Sequence, residues 1–439
     1  MASQFSLLKT KRFLPIFIVQ FLGAFNDNLL KTILVVMVAY GLWDIGNMNP
    51  GVLVALATGV FILPFILFSP LAGTLSDKYD KATMVKWVKF AEVIIAILGV
   101  IVLFIGDLYL AFGVLLLLGT QSAFFAPCKF AILPDHLKKD ELIGGNAMVT
   151  TGTYLAILAG TIIGAILAPL EHGKIIGGAV VLSMAAAGLV AALKVPPAPS
   201  KDPTIKISYN IFAKAVHVVN YALKQDRGVI ISILGVAYFY FVAATFHAQF
   251  PNFTKQSLGA DNIVLTMFMI AFSVGVAIGG LLNHRFLKAK AHGGLVPIAC
   301  LFMAFFGIDI YFAAKAYPAP TNGELHTLQT FASNIHGVRL LIDTFLQAIA
   351  CGLFVVPLRA IVQDRTNKAV RARVISSSNM MDALFILLSA VVSTLILAQG
   401  VSIEELYLIV SVSTLLVGLF LFRIPSLRAN HNEITPKEI

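Results

Sequence analysis

Asn26, Asp27 and Asn28 stand together inside the first long apolar stretch, residues 13–42, and Lys31 follows Asp27 by four positions. A carboxylate flanked by two amides, one helical turn from an ammonium group, has the donors and acceptors to hold a proton, a cation or the polar head of a larger molecule. Charge at bilayer depth costs about 2.5–3.5 kcal/mol on insertion scales, so Asp27 is expected to face a bundle interior or a watery cavity. Lys31 is its expected partner. The competing structural reading is a buried ion pair that only fastens helices together.

Further along the chain, His247 and Gln249 in the seventh apolar run occupy the depth that Asn26 and Asn28 occupy in the first, accompanied by Tyr238 and Tyr240. Pro251 is expected to break that helix near its outer end. Arg339 and Asp343 are spaced to pair on the tenth run, and Glu92 and Asp382 are further carboxylates within apolar sequence. Each of these has an equally good reading as a packing element. Cys128, Cys300 and Cys351 are scattered, with no paired-cysteine motif and no histidine at ligand spacing, and read as small core residues. The nine histidines are dispersed, so no metal centre is expected. There is no Gly-rich phosphate loop, so ATP is not the expected energy source, and no cofactor is expected beyond a coupling ion, sodium or a proton.

These residues need elements that can hold them in lipid. Of the 439 residues, 58% are hydrophobic and only 12% charged, with a mean hydropathy of +0.88, which marks an integral membrane protein. Twelve runs are long enough to span a bilayer as helices, near 13–42, 51–75, 84–106, 108–133, 145–170, 174–195, 229–254, 262–284, 294–316, 338–363, 373–399 and 403–423. The first is too long for a removable signal and lacks a small-residue cleavage site. Gly160 with Gly164, and Gly275 with Gly279, are spaced for close helix approach.

A net charge of +10 would suggest nucleic acid in a soluble protein, but the basic residues are sorted by loop. Groups such as Lys9, Lys11 and Arg12 before the first run, and Lys78, Lys81, Lys86 and Lys89 after the second, recur after every second run. By the positive-inside rule both termini are expected to be cytoplasmic, and no nucleic-acid partner is implied.

The proline-rich break at residues 195–203 divides the chain. The expected organisation is a first six-helix bundle at 1–195, a cytoplasmic linker with an amphipathic helix at 196–228, a second six-helix bundle at 229–425 and a tail at 426–439. The bundles show traces of a repeat. Pro127 precedes Lys129 by two at the end of the fourth run, and Pro357 precedes Arg359 by two at the end of the tenth. Paired repeats about a central site are a transporter design.

Gly73-Thr-Leu-Ser-Asp77-Lys78-Tyr-Asp80-Lys81 resembles motif A of the major facilitator superfamily, usually Gly-x-Leu-Ala-Asp-Arg-x-Gly-Arg-Lys. Asp80 stands where that motif has glycine, and Ala82 where it has a second base. The resemblance implies that Gly73, Asp77, Lys78 and Lys81 gate one side through ion pairs and a helix-end contact. Ala24-Phe-Asn-Asp-Asn28, Ala126-Pro-Cys-Lys129 through Leu133, Gly145-Asn-Ala147 and Phe354-Val-Val-Pro-Leu358 are together similar to the bacterial lysophospholipid transporter family. That resemblance implies a monomeric carrier of lysophospholipid in the bacterial inner membrane, moving it from outer to inner leaflet by alternating access. Asp27 would contact headgroup or coupling ion, Asn26 and Asn28 would line the same cavity, and Lys129 would meet phosphate or serve the gate. A superfamily transporter of a polar metabolite, siderophore or drug shares all these features except the cavity lining. A non-transporting scaffold would not need buried ionisable groups.

Overall fold

The computed structural model describes residues 4–39, 50–200, 202–205, 207, 220, 222–286, 293–318 and 325–424. Twelve long helices form among them: α1 (Leu14–Ala39), α2 (Pro50–Lys78), α3 (Lys81–Ile105), α4 (Leu108–Ala131), α5 (Leu142–Leu167), α6 (Gly173–Leu193), α7 (Arg227–Asn252), α8 (Asn262–Phe286), α9 (Val296–Ala316), α10 (Ile335–Arg365), α11 (Arg371–Leu397) and α12 (Ile403–Leu421). Among the described residues, eleven helices are long and apolar enough to cross a membrane by length and composition. The protein has the all-α, twelve-helix membrane architecture expected from its apolar runs. A single isolated bridge, Ala260 to His326, is the nearest approach to β structure among the described residues.

Local chemistry sets the helix ends. Asp107 accepts from the Leu110 amide at 2.8 Å and Asp226 from the Gly228 amide at 2.6 Å, satisfying first-turn donors. Ser402 and Glu405 close a capping box on α12. Gly106 ends α3 with φ 77°, a left-handed turn that a side chain would strain.

The Cα positions divide into two compact units, residues 1–225 with 363–380, and residues 226–362 with 381–439. In the first, α5 lies directly on α1: Gly160 faces the Phe25 carbonyl and Gly164 the Leu29 carbonyl. Gly119 of α4 meets the backbone of α2 at Phe61. In the second, Gly275 and Gly279 of α8 face the Phe345 and Ile349 carbonyls of α10, while Gly352 of α10 meets Val276. The second-to-fourth helix contact of one bundle thus reappears as an eighth-to-tenth contact in the other. Trp87, Tyr109, Phe305 and Leu416 are more than half exposed, as side chains turned to lipid would be.

Pro251 does not break α7. The helix runs to Asn252 and continues into a π-helical turn, Phe253–Ser257. Beyond α9, a short helix Leu328–Ser333 buries Phe331 against Phe268 and Tyr317. Most of the expected interface helix after the proline-rich break, and the tail 426–439, lie outside the described residues.

Candidate functional site

Asp27 is buried, as are Asn26, Asn28 and Gln20 on the same helix. Its Oδ2 accepts a short hydrogen bond from Ser122 Oγ of α4. From there the contacts run inward without a break. Ser122 Oγ is 3.1 Å from Gln121 Oε1, Gln121 Nε2 donates to Glu92 Oε2 at 3.0 Å, and Lys89 Nζ forms a short ion pair with that same oxygen. Lys89 and Glu92 are fully buried on α3, three residues apart. Gln20 Oε1 receives Thr153 Oγ1 at 2.8 Å. Asn26 Oδ1, Asp27 Oδ1 and Glu92 Oε1 have no hydrogen-bond partner among the described residues. Three buried oxygens with spare acceptor capacity, beside this line of polar contacts, can receive a proton, a cation or ligand donors.

Lys31 does not join Asp27 as expected. It donates to Asn28 Oδ1 at 3.0 Å and lies 5.1 Å over the Phe61 ring, while Asn28 Nδ2 is tied to the Ala24 carbonyl at 2.8 Å. The hydroxyl on α4 takes the place expected for the ammonium. Lys89 is a second correction. It does not belong to a basic loop but to the middle of the polar chain, with its ammonium 5.4 Å over Phe125.

In the second unit, Arg359 of α10 binds Asp382 Oδ2 of α11 at 2.8 Å and reaches the Tyr240 hydroxyl at 3.4 Å. Tyr238 meets Ser413 and Thr414 at 2.8 and 2.9 Å. Arg339 pairs only loosely with Asp343, at 3.9 Å. Its guanidinium fork is committed instead to Asp309 of α9, through Nε at 2.9 Å and a short NH2 contact. His247 is exposed, beside Phe250 and Phe272, and Gln249 accepts from Asn252 at 3.0 Å. Lys129 lies over Phe125 and Phe130, 5.9 and 5.0 Å from their centroids. Among the described residues, no group of acids, histidines and cysteines is arranged to hold a metal ion.

The motif around Gly73 fastens the start of α11 within the first unit. Asp77 accepts the Ala372 amide at 2.9 Å, the Arg373 amide at 3.0 Å and Arg373 Nε at 3.0 Å. A carboxylate on the first-turn amides of a helix is favoured both by hydrogen bonding and by the helix dipole. Gly73 leaves room for Ser376, which donates a short bond to the Ser69 carbonyl. Lys81 pairs with Asp135 at 3.0 Å, and Arg371 approaches that acid at 3.9 Å. Lys78 lies 5.8 Å over Tyr79. Asp80, unusual for the motif, has its own use. Oδ1 caps α3 at the Thr83 amide and Oδ2 accepts the Ala198 amide, each at 2.7 Å. Asn146 and Gln363 add a reciprocal amide pair at 2.5 and 2.9 Å. Below α1, Arg12 forks onto Glu141 at 2.6 and 2.5 Å, a hydrogen-bonded pairing that raises the guanidinium above its ordinary range.

Ser122, Gln121, Lys89 and Asp309 are the functional candidates that sequence reasoning missed. Lys89 and Glu92, at helical spacing in an apolar run, carried a readable signal; Ser122 carried none.

Comparison with known proteins gives a consistent neighbourhood. The profile of the Major Facilitator Superfamily matches residues 16–324. The chain is 24% identical over 371 residues to the lysophospholipid transporter LplT of Serratia proteamaculans, covering 84% of this chain and 83% of that one. It is 25% identical over 406 residues to the protein of the same name from Photorhabdus laumondii, covering 90% and 91%. Among solved structures, the human organic anion transporter MFSD10 superposes with a TM-score of 0.69 at 15% identity, over 93% of this chain and 99% of that one. The Escherichia coli fucose:proton symporter FucP superposes with 0.69 at 12% identity, over 94% and 98%.

Proposed function

The chain belongs to the Major Facilitator Superfamily, and from that premise we propose that this multi-pass membrane transporter carries lysophospholipid by alternating access. The observation that carries the proposal is the place of the polar chain. The Asn26-Asp27-Asn28 segment, part of the motif resemblance to the lysophospholipid transporters, supplies a buried acid with an open acceptor oxygen at the end of a line of polar groups. A single-tailed lipid with a zwitterionic or anionic head needs a few polar contacts for the head and an apolar path for the tail, and a short line of polar groups ending at Asp27 within largely apolar helices supports that reading.

The cargo would travel from the outer to the inner leaflet of a bacterial inner membrane, carried by a monomer with both termini in the cytoplasm. Asp27 would meet the headgroup or the coupling ion, and the Asp77 contacts would be made and released as access alternates. Basic groups on the second bundle, Arg339 and Arg359, favour a second reading in which a polar metabolite, siderophore or drug is the cargo.

Uptake of labelled lysophosphatidylethanolamine into proteoliposomes tests the choice. Lipid uptake that falls with Asp27→Asn is the expected result. Uptake of a soluble anion without any lipid movement would transfer the assignment to the second reading, and full activity of Asp27→Asn would remove Asp27 from the site.

A further inference from the structure

Two carboxylates and one guanidinium meet on the facing sides of α9 and α10. Arg339 is spent on Asp309, donating to both of its oxygens. Asp343, one turn further along α10, is left with that guanidinium at 3.9 Å, beyond hydrogen-bonding range. It is 5% exposed, and its Oδ2 has no hydrogen-bond partner. Arg339 Nε is shared by the two acids, 2.9 Å from Asp309 Oδ2 and 3.9 Å from Asp343 Oδ2, which brings the carboxylates to one nitrogen. Among the described residues, the charged groups in contact within this cluster are Arg339 on the same helix as Asp343 and Asp309 on α9.

An ionised Asp343 would place a second negative charge in low dielectric with half a partner, the situation in which two carboxyl groups hold a single proton between them. We propose that the Asp309–Asp343 pair is a proton-binding site of the second bundle, with Arg339 holding Asp309 ionised as the acceptor. On loading, a proton from water adds to Asp343 Oδ2, the carboxylate becomes a carboxylic acid, and its O–H donates to Asp309. On release, the proton returns to water past Asp309, whose side chain is 24% exposed. Sodium fits poorly. A hard cation needs several oxygens around it, whereas both oxygens of Asp309 are occupied by a guanidinium whose charge repels the ion.

The consequence for transport rests on the carrier reading above: the second bundle would supply the proton-coupled step, separately from Asp27. The test does not depend on the cargo. Infrared difference spectra of the purified protein in lipid nanodiscs are recorded between acid and alkaline buffer, for the wild type, Asp343→Asn, Asp309→Asn and Asp27→Asn. One protonated-carboxyl C=O band is expected that titrates in the wild type, persists in Asp27→Asn, vanishes in Asp343→Asn and moves in Asp309→Asn. A band set unchanged by Asp343→Asn overturns the proposal, as does a band that sodium abolishes at fixed pH. If Asp343→Asn fails to fold, the Asp309→Asn spectrum decides alone, an unmoved band again counting against it. Failure of lysophospholipid uptake, by contrast, would leave the spectra unaffected and strike only the cargo assignment.

Discussion

Lys89 and Glu92 illustrate how much a buried charge depends on its neighbour. Both are fully buried, and removing one leaves the other unpaired in low dielectric. Lys89→Met is therefore expected to destabilise the protein by about 3–5 kcal/mol, and the double replacement Lys89→Met with Glu92→Leu to recover most of that loss. Thermal unfolding in detergent, read for the single and double variants, checks the pair; equal melting of all three would refute it. Asp27→Asn is a different kind of change. Asparagine still offers an oxygen to Ser122, so folding should hold while transport falls about tenfold or more, the equivalent of ~1.4 kcal/mol lost from a charge-assisted contact. Initial rates at matched protein levels measure it. Asp27 was legible in the sequence because a carboxylate in an apolar run has few explanations. Its partner was not, because serine is ordinary in membrane helices and only the fold brings Ser122 to it across 95 residues. In sequence, Lys89 groups with Lys78, Lys81 and Lys86 as part of one basic series although it falls inside the apolar run 84–106, and the helix from Lys81 carries it into the interior.

At the scale of the helix, glycine positions separate contact from mere composition. A Cβ on Gly119 would run into the backbone of α2 at Phe61, whereas one on Gly113 of the same helix meets nothing within 4 Å. Gly119→Ala should cost about 1–3 kcal/mol through forced separation of α2 and α4. Gly113→Ala should be neutral or stabilising by up to about 1 kcal/mol. Melting temperatures of the two variants side by side test the contrast, and a matched loss in both would contradict the packing. Asp80→Ala removes a helix cap and should cost about 1 kcal/mol. The positions of the twelve helices were readable from hydropathy, since every backbone group in lipid must be bonded within its own helix. The π-helical turn after α7 was not: proline near a helix end suggests a break, yet Pro251 is followed by five residues of wider helix.

For the whole molecule, the repeat was visible as two prolines each followed by a cation. The matching glycine contacts, Gly119 on α2 and Gly352 on α8, were hidden because they depend on which backbones approach each other. The two cations diverge in use, Lys129 resting on phenylalanine rings and Arg359 pairing with Asp382. Asp77 provides the test at this scale. With Asp77→Ala, the Ala372 and Arg373 amides lose their acceptor, and hydrogen exchange there should accelerate by about one to two orders of magnitude, as expected when a bond of roughly 1.5–3 kcal/mol to a charged group is lost. Unaltered exchange at both amides would show that the acid does not hold that helix start.

Asp80 gives the chain between the bundles a mechanical role. One of its oxygens closes the first turn of α3 and the other grips Ala198, so the proline-rich stretch is stitched to the loop three residues from Asp77. Tension drawn along residues 196–200 arrives at that loop instead of dissipating in slack chain. Under the alternating-access reading proposed above, lengthening the tether downstream, or pulling on it, is expected to alter the rate of cycling and leave substrate affinity unchanged.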